Sequence, residues 1–309
     1  MIYTITLNPA LDLEFTIRSI QYDQVLRAEQ VRADCGGKGF NIARALTEWG
    51  VPSVALGLVG GKTGERLHDE LGKLGVRTDF SWIGGETRIN IAIITSPAGK
   101  YIKVNQPGPE VTAREIGELL EKVRALASPD GLWAITGSLP PGVEPQIYAE
   151  IIQVVQSAGG KALLDADGDT LVQACQAKPF LVKPNALEAS QVSGVELLSL
   201  RDVREAARFF HQMGVELVLI TMGEQGAALS DGVNVWWAAP PSVNISSPIG
   251  AGDAALAGFI WGLSQGERLE RALKLAVASG TASASLPGTA IAGREPVLKI
   301  AGEVRWGQF

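Results

Sequence analysis

Residues 132–164 read LWAITGSLPPGVEPQIYAEIIQVVQSAGGKALL. A short apolar run ends in a glycine- and proline-rich loop, an amphipathic stretch follows over 145–158, and a second apolar run closes at Ala162 to Leu164. That order is strand, helix, strand, which makes the two strands parallel neighbours in one sheet. The unit extends both ways. Upstream, Thr112 opens a helix reaching Ala127, with Glu115 completing a capping box and Ile116, Leu119, Leu120, Val123 and Leu126 on one face. Downstream come a strand at Phe180 to Val182, a helix from Ser199 to Met213 stopped by Gly214, and an apolar strand at Glu216 to Thr221. Such alternation predicts an α/β fold, a mainly parallel sheet with helices on both faces, and ligands bound outside the carboxyl ends of its strands.

The first third of the chain departs from this pattern. Leu13, Phe15 and Ile17 alternate with Glu14, Thr16 and Arg18, and residues 24–33 carry no helix signal. Arg88 to Thr95 and Lys100 to Asn105 read as a hairpin around Ser-Pro-Ala-Gly. Between them lie a helix at 40–49 and a strand at Val54 to Leu58, so these strands are expected to meet as a small second sheet. We read them as a lid inserted at about 11–33 and 86–107 into a single domain spanning 1–309, since no linker or repeat divides the chain.

Composition narrows the chemistry. The chain has 309 residues, 46% hydrophobic and 19% charged, as expected of a globular enzyme. A net charge of −6 argues against a nucleic-acid partner, which would need a basic face, but not against a small anionic substrate. Cys35 and Cys175 are too far apart in sequence context to suggest a disulfide framework or a zinc motif. No apolar run approaches the roughly 20 residues of a membrane span, and no targeting segment is evident, so a cytoplasmic protein without a membrane partner is expected. His68 and His211 both fall in helical patterns and read as surface or boundary residues. Carboxylates, cations and backbone amides must therefore carry any reaction.

Four polar, glycine-containing segments sit where strands end. Residues 246–258 read SSPIGAGDAALAG, with Gly250, Ala251, Gly252 and Asp253 directly before an apolar helical run. If Asp253 opens that helix, the amides of 250–253 form an anion hole beside a carboxylate base; the plainer reading is a tight turn with an Asp cap. Lys183-Pro-Asn185 with Glu188 offers either a capping box or an amide and carboxylate near a nucleotide phosphate and its hydrated Mg²⁺. Thr221, Gly223 and Gly226 present a hydroxyl and bare backbone, and Ser138 a further hydroxyl. Two rival motifs fail on spacing. Gly60-Gly61-Lys62-Thr63 lacks a glycine four residues ahead, where Leu56 stands, and reads as the turn capping a helix at 63–74. Gly36-Gly37-Lys38-Gly39 lacks the dinucleotide spacing and its downstream acid.

Taken in order, these segments closely resemble the ribokinase-like, or PfkB, family of carbohydrate kinases over essentially the whole chain. The carrying motifs are Gly36-Gly37-Lys38-Gly39-x-Asn41 and Pro248-Ile-Gly250-Ala251-Gly252-Asp253. The segments Thr6 to Asp12, Thr87-Arg88-Ile89-Asn90 and Gly137 to Gly142 point to the branch acting on sugar phosphates. The resemblance implies a ribokinase-like three-layer α/β/α fold with a β-sheet lid, and ATP-dependent phosphorylation of a ketohexose phosphate. Fructose 1-phosphate is the expected substrate, with tagatose 6-phosphate or fructose 6-phosphate as alternatives.

It further implies Asp253 as base and Gly250, Ala251 and Gly252 as anion hole. Asp12, Gly37 and Asn41 would hold sugar hydroxyls. Lys38, Arg88, Ser138 and Arg27 would sit near the phosphate already on the sugar. Lys183, Asn185, Glu188, Thr221, Gly223 and Gly226 would form the ATP side, with Mg²⁺ at Asn185 and Glu188 through water; a K⁺ requirement stays open. Ala254 departs from the pattern, where a serine is common, and this removes neither base nor anion hole. A homodimer through lid strands is a further expectation. A sugar-phosphate sensor that kept the fold is the competing class, which would have no need of Asp253, and a nucleoside kinase is a third reading.

Overall fold

Unbroken apolar runs become the central strands, because helices cover both faces of the sheet and neither face can be polar. The computed structural model describes residues 1–96 and 100–309. Its strands are β1 (Ile2–Thr6), β2 (Ala10–Ile17), β3 (Gln30–Gly36), β4 (Ser53–Val59), β5 (Arg77–Thr78), β6 (Ser81–Trp82), β7 (Arg88–Thr95), β8 (Tyr101–Asn105), β9 (Leu132–Thr136), β10 (Lys161–Asp165), β11 (Leu181–Val182), β12 (Leu217–Thr221), β13 (Ala227–Ser230), β14 (Val235–Ala239) and β15 (Arg305–Gln308). Its helices are α1 (Lys38–Glu48), α2 (Gly61–Lys73), α3 (Ala113–Leu126), α4 (Gln146–Ser157), α5 (Gly168–Cys175), α6 (Ala186–Ser193), α7 (Leu200–Gln212), α8 (Ala251–Ser264), α9 (Leu269–Ala284) and α10 (Arg294–Glu303).

The main sheet runs β15-β14-β13-β12-β11-β10-β9-β1-β4-β5, with β6 also beside β4. From β12 to β5 the pairings are parallel, and the three C-terminal strands add on antiparallel. Alternation along each strand splits the core in two. Ile5, Trp133, Ile135 and Leu164 face Leu119, Ile151, Leu171 and Phe210 of α3, α4, α5 and α7. Ile2, Ala134, Leu163 and Leu219 face Leu46, Leu256, Phe259 and Leu273 of α1, α8 and α9. Each such fully buried side chain contributes roughly 1.5–3 kcal/mol of transfer free energy. On the second face Trp49, the C-cap of α1, stacks on Trp261 of α8, with ring centroids 5.3 Å apart, and its indole N–H donates to the Ala292 carbonyl at 2.8 Å. This packing fixes the two helices whose N-termini form the site.

The strands outside the pattern do meet in a second sheet, ordered β3-β2-β7-β8. One face of it carries Asp12, Asp34, Asn90 and Asn105, and the next rung carries Leu13, Ala33, Ile91 and Val104 on the other. The expected extended run at 24–33 is shorter than read: residues 18–29 form an exposed connection, turned at Asp23 (φ 58°), and β3 starts at Gln30. The predicted hairpin of β7 and β8 forms, and its Pro-Ala-Gly turn at 97–99 lies outside the described residues. No helix among the described residues is long and apolar enough to cross a membrane.

Candidate active site

Thr6, Thr136 and Asp165 end three adjacent parallel strands in register. The N-termini of α1 and α8 point at this strand-end crevice, where an open parallel sheet binds its ligands. Helix α8 starts at Ala251, and Gly250 is its N-cap, in a left-handed conformation (φ 79°) that favours glycine. Asp253 is therefore the third helical residue, and the expectation that it opens the helix is corrected. The turn is what decides this: the Ala251 amide donates back to the Pro248 carbonyl at 3.3 Å, and the first helical bond runs from Ala254 to Gly250 at 2.9 Å. The Gly252 and Asp253 amides make no bond among the described residues and are the free donors of the helix dipole's positive end.

Asp253 is 8% exposed and accepts a 2.8 Å hydrogen bond at Oδ2 from the Asn41 amide. Burial pushes its carboxyl up to about 6; the neighbouring Asp165 charge adds to this, while Asn41, Lys38 and Lys183 partly offset it. Asn41 lies one turn into α1, and its Oδ1 accepts from Arg44 at 3.2 Å, which fixes the orientation of the amide. Both polar ends of Asn41 are thus engaged, one of them on Asp253.

Asp165 is the main residue that the sequence reading missed. Its carboxylate is 1% exposed and lies 2.8 Å from the Lys38 ammonium and 3.0 Å from that of Lys183. Burial would raise the Asp165 carboxyl, but Lys183 and Lys38 outweigh it and hold it below the ordinary carboxylate range. Lys38 feels burial in the opposite sense, and Asp165, with Asp253 and Glu188 farther off, keeps it firmly charged. Lys38 is therefore paired with the buried Asp165, a partner the sequence did not reveal, and its own side chain stays 34% exposed. The available signal was a carboxylate at the carboxyl end of a central parallel strand.

In the second sheet, Asn90 donates to Asp12 at 2.7 Å, and burial raises the Asp12 carboxyl. Arg88, at the start of β7, donates to the Gln106 carbonyl at 2.9 Å and the Asn8 carbonyl at 3.0 Å, and burial lowers its pKa. Ser138 is exposed at the end of β9. Arg27 lies in the exposed 18–29 connection and makes no hydrogen bond or ion pair among the described residues.

On the other side, Asn185 and Glu188 form the capping box at the start of α6, at 2.8 and 2.9 Å, and Asn185 bridges in parallel to Thr221. The bonds use only Oε2 of Glu188. Gly223 faces open space, whereas a side chain at Gly226, in the turn between β12 and β13, would strike the Ala238 carbonyl of β14. At the rejected P-loop, Glu86 accepts from the Lys62 and Thr63 amides at 3.2 and 2.5 Å. Its carboxylate fills the place of an anion and starts α2 two residues earlier than expected.

A family model described as pfkB family carbohydrate kinase matches residues 6–295. The chain belongs to the pfkB family. Among curated proteins, this pfkB kinase is 34% identical to 1-phosphofructokinase of Borreliella burgdorferi over 92% of each chain. It is 35% identical to D-tagatose-1-phosphate kinase of Klebsiella oxytoca, over 93% of this chain and 94% of that protein. Among solved structures, phosphofructokinase-2 from Escherichia coli in complex with potassium superposes with a TM-score of 0.92, at 31% identity over 98% of both chains. The architecture of this pfkB kinase is the expected ribokinase-like α/β fold.

Proposed function

We propose that this carbohydrate kinase moves the γ-phosphoryl group of ATP to the 6-hydroxyl of fructose 1-phosphate, giving fructose 1,6-bisphosphate. The observation that carries the proposal is Asp253: a buried carboxylate pushed up to about 6 by that burial, beside two free amides at the start of α8. A sugar hydroxyl is a weak nucleophile, and phosphoryl transfer relies on positioning and charge stabilisation. Asp253 takes the hydroxyl proton as the sugar oxygen bonds to the γ-phosphorus and the bond to ADP breaks. The Gly252 and Asp253 amides, with Gly250 and Ala251 shaping the turn, receive negative charge on the transferring group. A sensor would have no need of that base.

The choice of the 1-phosphate rests on the relatives, which are named for fructose 1-phosphate and tagatose 1-phosphate. These sugars share the charged end and differ in the hand of one hydroxyl. Arg88 and Ser138 are assigned to the 1-phosphate, and Asp12 with Asn90 to the ring hydroxyls. Lys183, Thr221 and Gly223 are assigned to ATP. No group of three or more acidic, histidine or cysteine side chains among the described residues could hold a metal, so Mg²⁺ would be shared with phosphate oxygens and water, the mode it favours. Glu188 Oε1 and Asn185 fit that role and would bring Mg²⁺ to neutralise phosphate charge. A K⁺ requirement is suggested by the potassium complex of the Escherichia coli neighbour.

We assign the whole of 1–309 to one kinase domain whose lid excludes competing water. The lid's outer apolar face, with Val31 and Val104 exposed at 61% and 60%, fits a homodimer contact. Free buried cysteines suit a cytoplasmic setting. The test is an ADP-release assay with fructose 1-phosphate, tagatose 1-phosphate, fructose 6-phosphate, tagatose 6-phosphate, ribose and adenosine. We expect the highest kcat/KM on fructose 1-phosphate. Higher turnover on a 6-phosphate, or tight sugar-phosphate binding with no ADP release, overturns the assignment.

A further inference from the structure

The lid touches the rest of the protein through β3, at Asp34, the cross-strand neighbour of Asp12. In β3, Arg32 and Asp34 form an ion pair at 2.8 Å on the lid's polar face. Asp34 Oδ2 also accepts from the Thr289 hydroxyl at 3.3 Å, in the loop between α9 and α10. The preceding residue, Gly288, has φ 59°, and a Cβ there would collide with the Arg32 guanidinium. Two residues on one face of β3, Arg32 and Asp34, thus meet two adjacent residues of this loop.

The same Thr289 faces the base from behind. Its carbonyl accepts from Arg44 at 3.5 Å, Arg44 donates to Asn41 Oδ1 at 3.2 Å, and Asn41 donates to Asp253 at 2.8 Å. The two Arg44 bonds are the long ones, at 3.2 and 3.5 Å, and contacts of this kind tighten once substrate closes a site. A charged network of this kind transmits position only while each partner is present.

We propose that Thr289 is a positioning residue that joins lid closure to the orientation of Asp253, its hydroxyl reading the lid through Asp34 and its carbonyl reading the base through Arg44 and Asn41. The proposal rests on the kinase reading above and adds to it: an open lid leaves Arg44 poorly held, so the base is aligned only when water is excluded. ATP is then spared from hydrolysis while no sugar is bound.

The test compares the full-length chain with Thr289→Val, Thr289→Ser, Asp34→Asn and the Thr289→Val/Asp34→Asn pair. Two ratios are read: transfer to sugar phosphate against sugar-free ATP hydrolysis, and kcat against KM for ATP. Losing one hydrogen bond of this class predicts about a 3- to 10-fold fall in the transfer-to-hydrolysis ratio for Thr289→Val and Asp34→Asn, carried by kcat. We expect the double variant to be no worse than either single one, and Thr289→Ser to stay within about twofold of the parent. Amide hydrogen exchange over residues 30–36 is expected to quicken in Thr289→Val whether or not the chain phosphorylates any sugar, which separates failure of the latch from failure of the kinase assignment. Unchanged exchange there, or additive losses in the double variant, overturns the proposal. A Thr289→Val protein that fails to fold leaves Asp34→Asn and Thr289→Ser to decide by the same ratios.

Discussion

Asn41 holds the carboxylate of Asp253 at 2.8 Å across 212 residues of chain. The bond favours the ionised acid, the form a base must have, against a burial that pushes the carboxyl up to about 6. Below that pH a growing share of the protein carries a protonated Asp253, and under the proposed mechanism that form cannot accept the hydroxyl proton. We therefore expect kcat/KM for the sugar phosphate to fall about tenfold per unit below about pH 6. Asn41→Ala removes a charge-assisted bond and should carry this acid limb upward by about one unit. Rate profiles between pH 5 and 8.5 check both; an acid limb that stays put in Asn41→Ala removes the link.

Asp165 acts in the opposite direction. Its negative charge raises Asp253, so Asp165→Asn should move the acid limb down. The same change leaves Lys183, 5% exposed, without its counter-charge, a loss of about 3–5 kcal/mol for a buried pair broken on one side. Because the folded-state pKa of Asp165 is depressed, its stabilisation is present above the unfolded carboxylate value and lost as pH falls through the lowered one. Thermal melts should separate parent and variant widely at pH 7 and bring them together at strongly acid pH. Equal melting temperatures at pH 7 would show that the cluster does not hold the strand ends.

Much of this was legible before any coordinates. The βα alternation reports burial on both faces of a sheet, so strands such as Leu132–Thr136 followed from local pattern alone. So did the capping box of Thr112 and Glu115, which needs only four consecutive residues. The lid strands were readable as alternation, but their closure on Thr289 depends on contacts between segments 255 residues apart. The partners of Asn41 and Lys38 were hidden for the same reason. A lysine beside glycines gives no hint in the sequence of the strand-end Asp165 that the fold brings to it. Asn185 and Glu188 kept both readings, since one capping box can close and still leave a carboxylate oxygen free.

Asp253→Asn should separate stability from activity. Its folded-state pKa lies above the unfolded value, so the ionised side chain costs stability at every pH above about 6, and the cost fades as pH falls towards the unfolded value. The amide carries no charge to bury and still offers an oxygen to Asn41. We expect phosphoryl transfer to be abolished, sugar-phosphate binding retained, and the melting temperature raised by about 2–5 °C at pH 8. The gain should vanish near pH 4. A variant that melts lower at pH 8, or keeps the parent's turnover, contradicts the role.

The two glycines of the α8 turn are there for different reasons. Gly250 needs its left-handed backbone, so Gly250→Ala should cost about 1–2 kcal/mol and displace the turn. Gly252 has an ordinary φ, and an added Cβ would meet only the Lys183 ammonium, at 3.7 Å. Nothing in the fold requires glycine there. Gly252→Ala should melt within about a degree or two of the parent, yet raise KM for ATP at least about tenfold by blocking close approach of phosphate to the amides. Normal kinetics in a well-folded Gly252→Ala would move the anion site away from α8.

Arg88 gives the sharpest test of the sugar-phosphate end. Two of its nitrogens are braced by the Asn8 and Gln106 carbonyls, which hold the guanidinium plane at the root of the lid. A fixed, planar cation recognises a phosphate by two parallel bonds, and an ammonium at the same place cannot reproduce that fork. Arg88→Ala is therefore expected to raise KM for fructose 1-phosphate about 10- to 100-fold while leaving KM for ATP within about threefold. Arg88→Lys should recover little of the loss. If both Michaelis constants rise together, Arg88 is bracing the lid, and the phosphate must be sought at Ser138 and the 18–29 connection.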